Sequence, residues 1–483
     1  MAPANAPLPA LTADARRRAL RFVGLAVSVL LVSGLLSLCI VFARLPVVGA
    51  WIGDPLFFKR CLVVHVDLAL VVWFYSFLAA LFALIPTRAP TRALLPRLGF
   101  GLALLGVVLL VASAAIPGVA PVLANYVPML DTPLYAAALV LFATGVGLTF
   151  LAPGMLPGAE SEGAQTPLPP AARPGIRAAA VAFWLALATF AAAVITTPRG
   201  LPVDAYYELV AWGGGHTLQF ASEAAMVACW LLLLERGLGR AVLSRATASL
   251  LFALLIAPTF AAPLLALSGT TTNLYHTGFT RLMQWGVFPV VVLFLGLCLR
   301  ALWGAARAGA LPDDDGARIG RRGFAVSAAL TACGFVLGAL IRGPNTMVPA
   351  HYHANIGAVT ASFMAATWLV FDALALPIPS RRLARAASWQ PVVFGVGQLV
   401  FAVGFGLAGS AGAARKTYGA EQHVRSLGEW LGLSVMGLGG LVAVGGGVLF
   451  IVIAIAALRA RRTAATDGPR RHEWSAVHIP SRS

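Results

Sequence analysis

Charge is what this sequence has least of. Only 11% of its 483 residues are charged, while 59% are hydrophobic, and the mean hydropathy is +0.85. A soluble globular chain is about 45–50% apolar and about 25% charged. A soluble domain is therefore excluded, and many membrane spans are implied. Acidic residues are scarcest, 18 against 35 basic ones, for a net charge of +17. That charge does not argue for a nucleic-acid partner, because it lies in short loops between apolar runs. Cysteine is sparse too. Cys39, Cys61, Cys229, Cys298 and Cys333 are scattered, with no CxxC or CxxCH pattern, and most fall inside apolar runs. A buried free cysteine behaves as a small hydrophobe, so no cysteine-ligated copper or zinc centre is encoded. A cleavable signal is also missing, since no short apolar core is followed by a cleavage site.

What is present is a series of apolar runs. A span needs about 20 mainly apolar residues. About twelve runs qualify, near 20–43, 60–86, 97–118, 132–153, 176–197, 206–235, 246–268, 279–304, 322–341, 351–377, 391–411 and 431–458. The expectation is an all-α polytopic membrane protein. It has a cytoplasmic tail over 1–19, one transmembrane domain over 20–459 and a second cytoplasmic tail over 460–483. The least certain boundary is the Gly/Thr-rich link at 265–285. Residues 154–174, rich in Pro and Gly, read as a flexible loop. The run GLGGLVAVGGGVLF reads as close helix packing.

Basic residues set the orientation. With the N-terminus inside, the outer segments hold only Arg44, Lys59, Arg60, Arg199, Arg281, Arg342, Arg415, Lys416 and Arg425 of the 35 basic residues. Such a bias supports both termini in the cytoplasm of a bacterial inner membrane. In this topology five of the eight histidines fall at one depth, in the outer half of the membrane. His65 lies about a turn into the second span, His216 lies in the sixth, and His276 lies in the link before the eighth. His351 and His353 open the tenth.

Ionisable residues at membrane depth are costly and mark functional sites. Neutral imidazole is the commonest metal ligand and an axial ligand of haem iron. Residues two apart on a helix point about 200° from each other. His351 and His353 therefore cannot easily share one metal, but each can serve a different iron, one on either side of the helix.

These residues resemble the central subunit of the haem-copper oxidase superfamily, which includes cytochrome c oxidase subunit I and the nitric oxide reductase large subunit. The resemblance covers nearly the whole chain. It rests on His351-Tyr352-His353 in the tenth helix, His65 in CLVVHVDLALVVW, and Gly215-His216 in AWGGGHTLQF. It implies two haems and one non-haem metal, copper or iron. The low-spin haem would be held by His65 and His353, the high-spin haem by His351, and the non-haem metal by His216 and His276. It also implies haem-propionate partners in the last outer loop, where Arg415 and Lys416 stand; ordinary loop charge is the other reading of those two.

The chain departs from the family pattern in two places. The adjacent His-His of the seventh helix is missing from SGTTTNLYHTGFTRLMQWG, which offers only His276, preceded by Tyr275. Four residues after His216, where many oxidases carry tyrosine, stands Phe220. Tyr275 is a candidate substitute for a seventh-helix tyrosine of the family. Glu223, seven residues after His216 and so about 700° round the helix, lies on nearly the same face. It reads as a metal ligand, a proton relay, or a protonated group bonded to a neighbour. Gln219 is a further ligand or supporting group. Asp67 and Asp372 lie in spans, where they are candidates for proton movement, and Asp67 points away from His65.

The expected function is that of a respiratory-chain oxidoreductase reducing dioxygen to water. The alternatives are nitric oxide reduction at a non-haem iron with Glu223, and a non-catalytic haem-binding sensor or assembly protein. Electrons would come from cytochrome c, a copper protein or quinol, through a small cytochrome or copper-bearing subunit.

Overall fold

A computed structural model describes residues 11–42, 54, 56–88, 94–161, 166–415 and 424–466. Among these, twelve helices are long and apolar enough to cross a membrane, as expected of an integral membrane protein. They are α1 Ala13–Ile40, α2 Phe57–Ala83, α3 Leu94–Ser113, α4 Pro133–Phe150, α5 Arg173–Thr196 and α6 Val203–Leu238. The second half comprises α7 Arg245–Leu267, α8 Asn273–Arg307, α9 Asp315–Ala339, α10 Met347–Ala373, α11 Arg381–Ser410 and α12 Leu427–Ala460.

The helices fall into two classes. In α2, α6 and α10, 78%, 78% and 83% of the most apolar stretch is buried inside the protein, against 28–50% in the other nine. The three inner helices carry His65, His216, His351 and His353. Aromatic rings join two of them to α12: Phe77 and Trp73 of α2 lie 4.8 and 6.3 Å from Phe363 of α10, and Trp73 lies 5.9 Å from Phe450 of α12. The outer helices leave large apolar side chains open, such as Trp285, Leu293 and Leu441, as a lipid-facing surface requires. Between α11 and α12 the backbones approach closely. A Cβ on Gly397 would lie 2.3 Å from the Ala443 nitrogen, and one on Gly439 2.3 Å from the Phe401 nitrogen. This is the close packing expected of the glycine-rich run.

Three features differ from the sequence expectation. First, α1 begins at Ala13, inside the expected tail, and Arg16 donates to the Leu374 carbonyl at the end of α10 (2.6 Å). Second, α8 begins at Asn273, which puts His276 in its first turn; the Thr272 hydroxyl caps it by accepting from the Tyr275 N–H at 3.2 Å. Third, the expected flexible loop at 154–174, of which 162–165 lie outside the described residues, is held at Glu160. Glu160 is buried against Arg173, Arg177 and Arg245 at 3.1, 2.5 and 3.0 Å. Burial alone would raise the Glu160 carboxyl, but the three guanidiniums hold it below its ordinary value.

Two π-helical turns interrupt the spans, Leu68–Val72 in α2 and Met283–Val287 in α8, each shortly after a candidate histidine. Such turns often mark functional sites. At the same end of the bundle, the α3–α4 link forms a short antiparallel pair, β1 Pro121–Val122 with β2 Met129–Leu130, and its turn carries Asn125 and Tyr126.

Candidate functional site

α10 divides its two histidines between neighbouring helices. His351 Nδ1 lies 2.7 Å from the Gly334 carbonyl of α9. A carbonyl only accepts, so Nδ1 carries the proton and Nε2 keeps its lone pair. Glycine at 338 makes this docking possible, because a Cβ there would sit 2.7 Å from His351 Nδ1. His353 faces α11, its ring 4.9 Å from that of Phe401 and stacked at 5.8 Å on Phe405, while its carbonyl accepts from Gln398 Nε2 at 3.1 Å. The opposed orientation expected from helix geometry is present.

His65 shares the tautomer of His351. Its Nδ1 is 2.8 Å from the Ser33 carbonyl of α1 and 2.9 Å from the Ser33 hydroxyl, which donates in turn to the His65 carbonyl at 3.0 Å. His65 is within electrostatic range of His353. Neither His65 nor His351 has a hydrogen-bond partner at Nε2 among the described residues. An imidazole whose Nδ1–H is fixed by a carbonyl and whose Nε2 is free has the form that binds iron.

His216 is arranged differently. Its Nδ1 meets the Trp212 carbonyl of its own helix at 2.6 Å, and its Nε2 meets the Tyr126 hydroxyl at 2.9 Å. Tyr126 comes from the α3–α4 link and has a left-handed backbone, φ +69°. The adjacent Asn125 is clamped: its N–H donates to Glu208 Oε2 at 2.9 Å, its amide nitrogen to Glu208 Oε1, and its Oδ1 accepts from Arg415 at 2.7 Å. Burial, with the Glu208 carboxylate adding to it, raises the Tyr126 phenol above its ordinary range, while Arg415 pulls it down. A cation bound beside it would reverse that preference.

The other expected residues lie nearby in different states. His276 is half-buried at the start of α8, within electrostatic range of His216. The Trp212 ring packs on both, at 4.6 and 5.6 Å. Tyr275 is buried, and its hydroxyl donates to the Leu209 carbonyl at 2.7 Å and accepts from the Gly213 N–H at 2.8 Å. In an α-helix those two groups are each other's partners. Tyr275 thus bonds one backbone acceptor and one backbone donor of α6 about a turn before His216. Glu223, two turns beyond His216, is buried with Oε2 unpartnered. Among the described residues no three His, Cys, Asp or Glu side chains gather into a metal-holding group. Asp67, turned from His65, accepts from Tyr135 at 2.5 Å. Lys416 lies outside the described residues.

Tyr126 was not among the sequence candidates. A signal for it existed in Gly213-Gly214-Gly215. Added Cβ atoms there would collide with Tyr275 and Phe279, with Phe190, and with Tyr126, the last at 2.3 Å. Three glycines in a row before His216 meant aromatic rings seated directly on α6.

A solved structure titled as a cryo-EM structure of a haem-copper terminal oxidase dimer superposes on this chain with a TM-score of 0.66, covering 96% of this chain and 86% of that one at 16% identity. The chain has a haem-copper oxidase fold. Two relatives in sequence are uncharacterised proteins. One, of Aquifex aeolicus, is 29% identical over 71% of this chain and 82% of its own length; the other, of Rickettsia prowazekii, is 22% identical over 87% and 92%. No protein-family model matches the chain. Within this haem-copper oxidase fold, His65, His351 and His353 fit two haems, by their free donor nitrogens and their division across α10. A three-imidazole metal site does not fit, because among the described residues only His216 and His276 are at hand.

Proposed function

We propose that the chain is the catalytic subunit of an oxidase-like terminal reductase. His65 and His353 would hold a low-spin haem, His351 a high-spin haem, and His216 a non-haem metal. The supporting observation is the tenth helix, which turns His351 onto α9 and His353 onto α11, with His65 near the latter. The haems supply the electron store and the iron at which a small gas is reduced. The chain's own residues hold and orient the ligands. Ser33 and Gly334 fix two imidazole tautomers, Phe401 and Phe405 shield His353, and Arg415 would offer a cation to a haem propionate. Electrons enter from cytochrome c, a copper protein or quinol, because the chain has no cysteine metal site of its own.

Dioxygen is the first substrate of this reading. Nitric oxide is the second, favoured by the unpartnered Glu223 carboxyl and the Tyr126 hydroxyl, since oxygen donors suit iron better than copper. The test is a reduced and reduced-plus-CO absorbance spectrum of the purified protein with haem quantified per chain. Two haems, only one of which binds CO, is the expected result. Absence of haem would remove the reading. Consumption of dioxygen or nitric oxide by the reduced protein then separates the two substrates.

A further inference from the structure

Three independent features deliver the Tyr126 hydroxyl to His216. The residue adopts a left-handed backbone, which side-chain-bearing residues rarely take. Gly215 leaves room for it, where any Cβ would lie 2.3 Å from the Cβ of Tyr126. The preceding Asn125 is held on both sides, by Glu208 and by Arg415. Such strain is kept only where the surroundings over-determine it. Gap filling alone would have called for none of these.

We propose that Tyr126 is an oxygen ligand of the non-haem metal at His216, standing where this chain lacks a third imidazole, and that the metal is iron. The proposal rests on the reading of His216 given above. Two ligands bound to one metal at about 2.0–2.1 Å, at an angle of about 90–110°, lie about 2.8–3.4 Å apart. The separation of Nε2 and the Tyr126 oxygen, 2.9 Å, is within that range. The cation takes the place of the phenolic proton, which is released to solvent, and the imidazole and phenol rings turn so that both donors point at it. A phenolate is a hard donor and an established iron ligand, which sets the preference for iron over copper. His276 packs on the same Trp212 ring as His216 and is a further imidazole on this side of the site.

The test uses the full chain purified with its haems. Haem per chain, non-haem iron and copper, and resonance Raman modes of iron-bound tyrosinate are measured for wild type, Tyr126→Phe and Tyr126→His. Wild type should show two haems, about one non-haem iron and tyrosinate modes. Tyr126→Phe should keep both haems, lose the modes and drop non-haem iron about tenfold or more, a ligand-scale effect. Tyr126→His should lose the modes and keep a metal. Two haems with non-haem metal unchanged in Tyr126→Phe, copper in place of iron, or wild type without tyrosinate modes each overturn the proposal alone. Absence of haem in wild type overturns the functional reading and the proposal with it.

Discussion

The α2–α10 side of the site and its α6–α8 side use the same residue type at the same level of the bundle and prepare it differently. On the first side, His65 has its Nδ1 tied to the carbonyl of Ser33 and its Nε2 open, and His353 lies between aromatic rings of α11. On the second side, His216 has the same tautomer, but its Nε2 meets a phenol carried in by a loop, and Tyr275 bonds the backbone of the helix just before it. The difference teaches that imidazole identity does not fix its duty. The group bonded to the remote nitrogen sets the tautomer, and the group in front of the near nitrogen decides what else can bind there.

The sharpest way to break this comparison is to remove one histidine from each side. His353→Ala should cost one of two haems, leave the CO-binding haem, and reduce turnover to about a hundredth or less. His216→Ala should leave both haems in place and abolish turnover to a similar degree. Haem extraction with CO difference spectra measures both. If His216→Ala lost a haem, the two sides would not be separate and the comparison would fail.

A change at the far, arginine-rich end should touch neither side. Glu160→Gln leaves Arg173, Arg177 and Arg245 facing one another without their carboxylate. Breaking a buried pair in this way costs about 3 kcal/mol. The haem spectra should be unchanged while the melting temperature in detergent falls. The pH dependence has a definite sign. Because the folded protein holds the Glu160 carboxyl below its ordinary value, its stabilisation is full above the unfolded value of about 4.3. It is lost as pH falls from there through the lower folded value. Wild type should lose this contribution on acidification, and Glu160→Gln should show a flatter acid limb.

Gly215→Ala acts on the α6–α8 side alone. The new methyl would overlap the Tyr126 Cβ, so either the loop or α6 must shift, an overpacking cost of about 1–3 kcal/mol. Tyr126 should leave His216 while the haem content stays at two per chain. A wild-type melting temperature in this variant would show that the loop is not seated on α6 as described.

How far these features were legible in the sequence follows from what kind of information each needs. The spans needed only composition, and the depth of the histidines needed only a count along each span. The opposed faces of His351 and His353 needed one helical angle. Tyr126 needed contact between a loop and a helix ninety positions later, announced only by Gly215. Tyr275 looked like a catalytic candidate as a substitute for a seventh-helix tyrosine of the family it resembles. Its bonds to Leu209 and Gly213 depend on how α8 meets α6, which no local pattern encodes. The segment before α5 looked flexible from its prolines and glycines. Its Glu160 is held because it meets arginines from two helices, one of them Arg245 on α7.

The smallest expected effect probes why His65 is open and His216 is not. Ser33→Ala removes the hydroxyl that lies 2.9 Å from His65 Nδ1 and bonds the His65 carbonyl at 3.0 Å. The main-chain carbonyl of the same residue, 2.8 Å from Nδ1, is untouched. If the carbonyl fixes the tautomer, losing the hydroxyl costs about 1 kcal/mol, the net value of one hydrogen bond. Low-spin haem occupancy should then stay near wild type, with at most a slight shift of its absorbance band. If the hydroxyl were the orienting group, the ring would turn, the Nε2 lone pair would leave the haem side, and that haem would be lost as completely as in His65→Ala. A titration of haem into the stripped protein distinguishes the two. Near-equal affinity means that the α1 backbone itself prepares the ligand, so that residue 33 is free to vary as long as the helix stays in place.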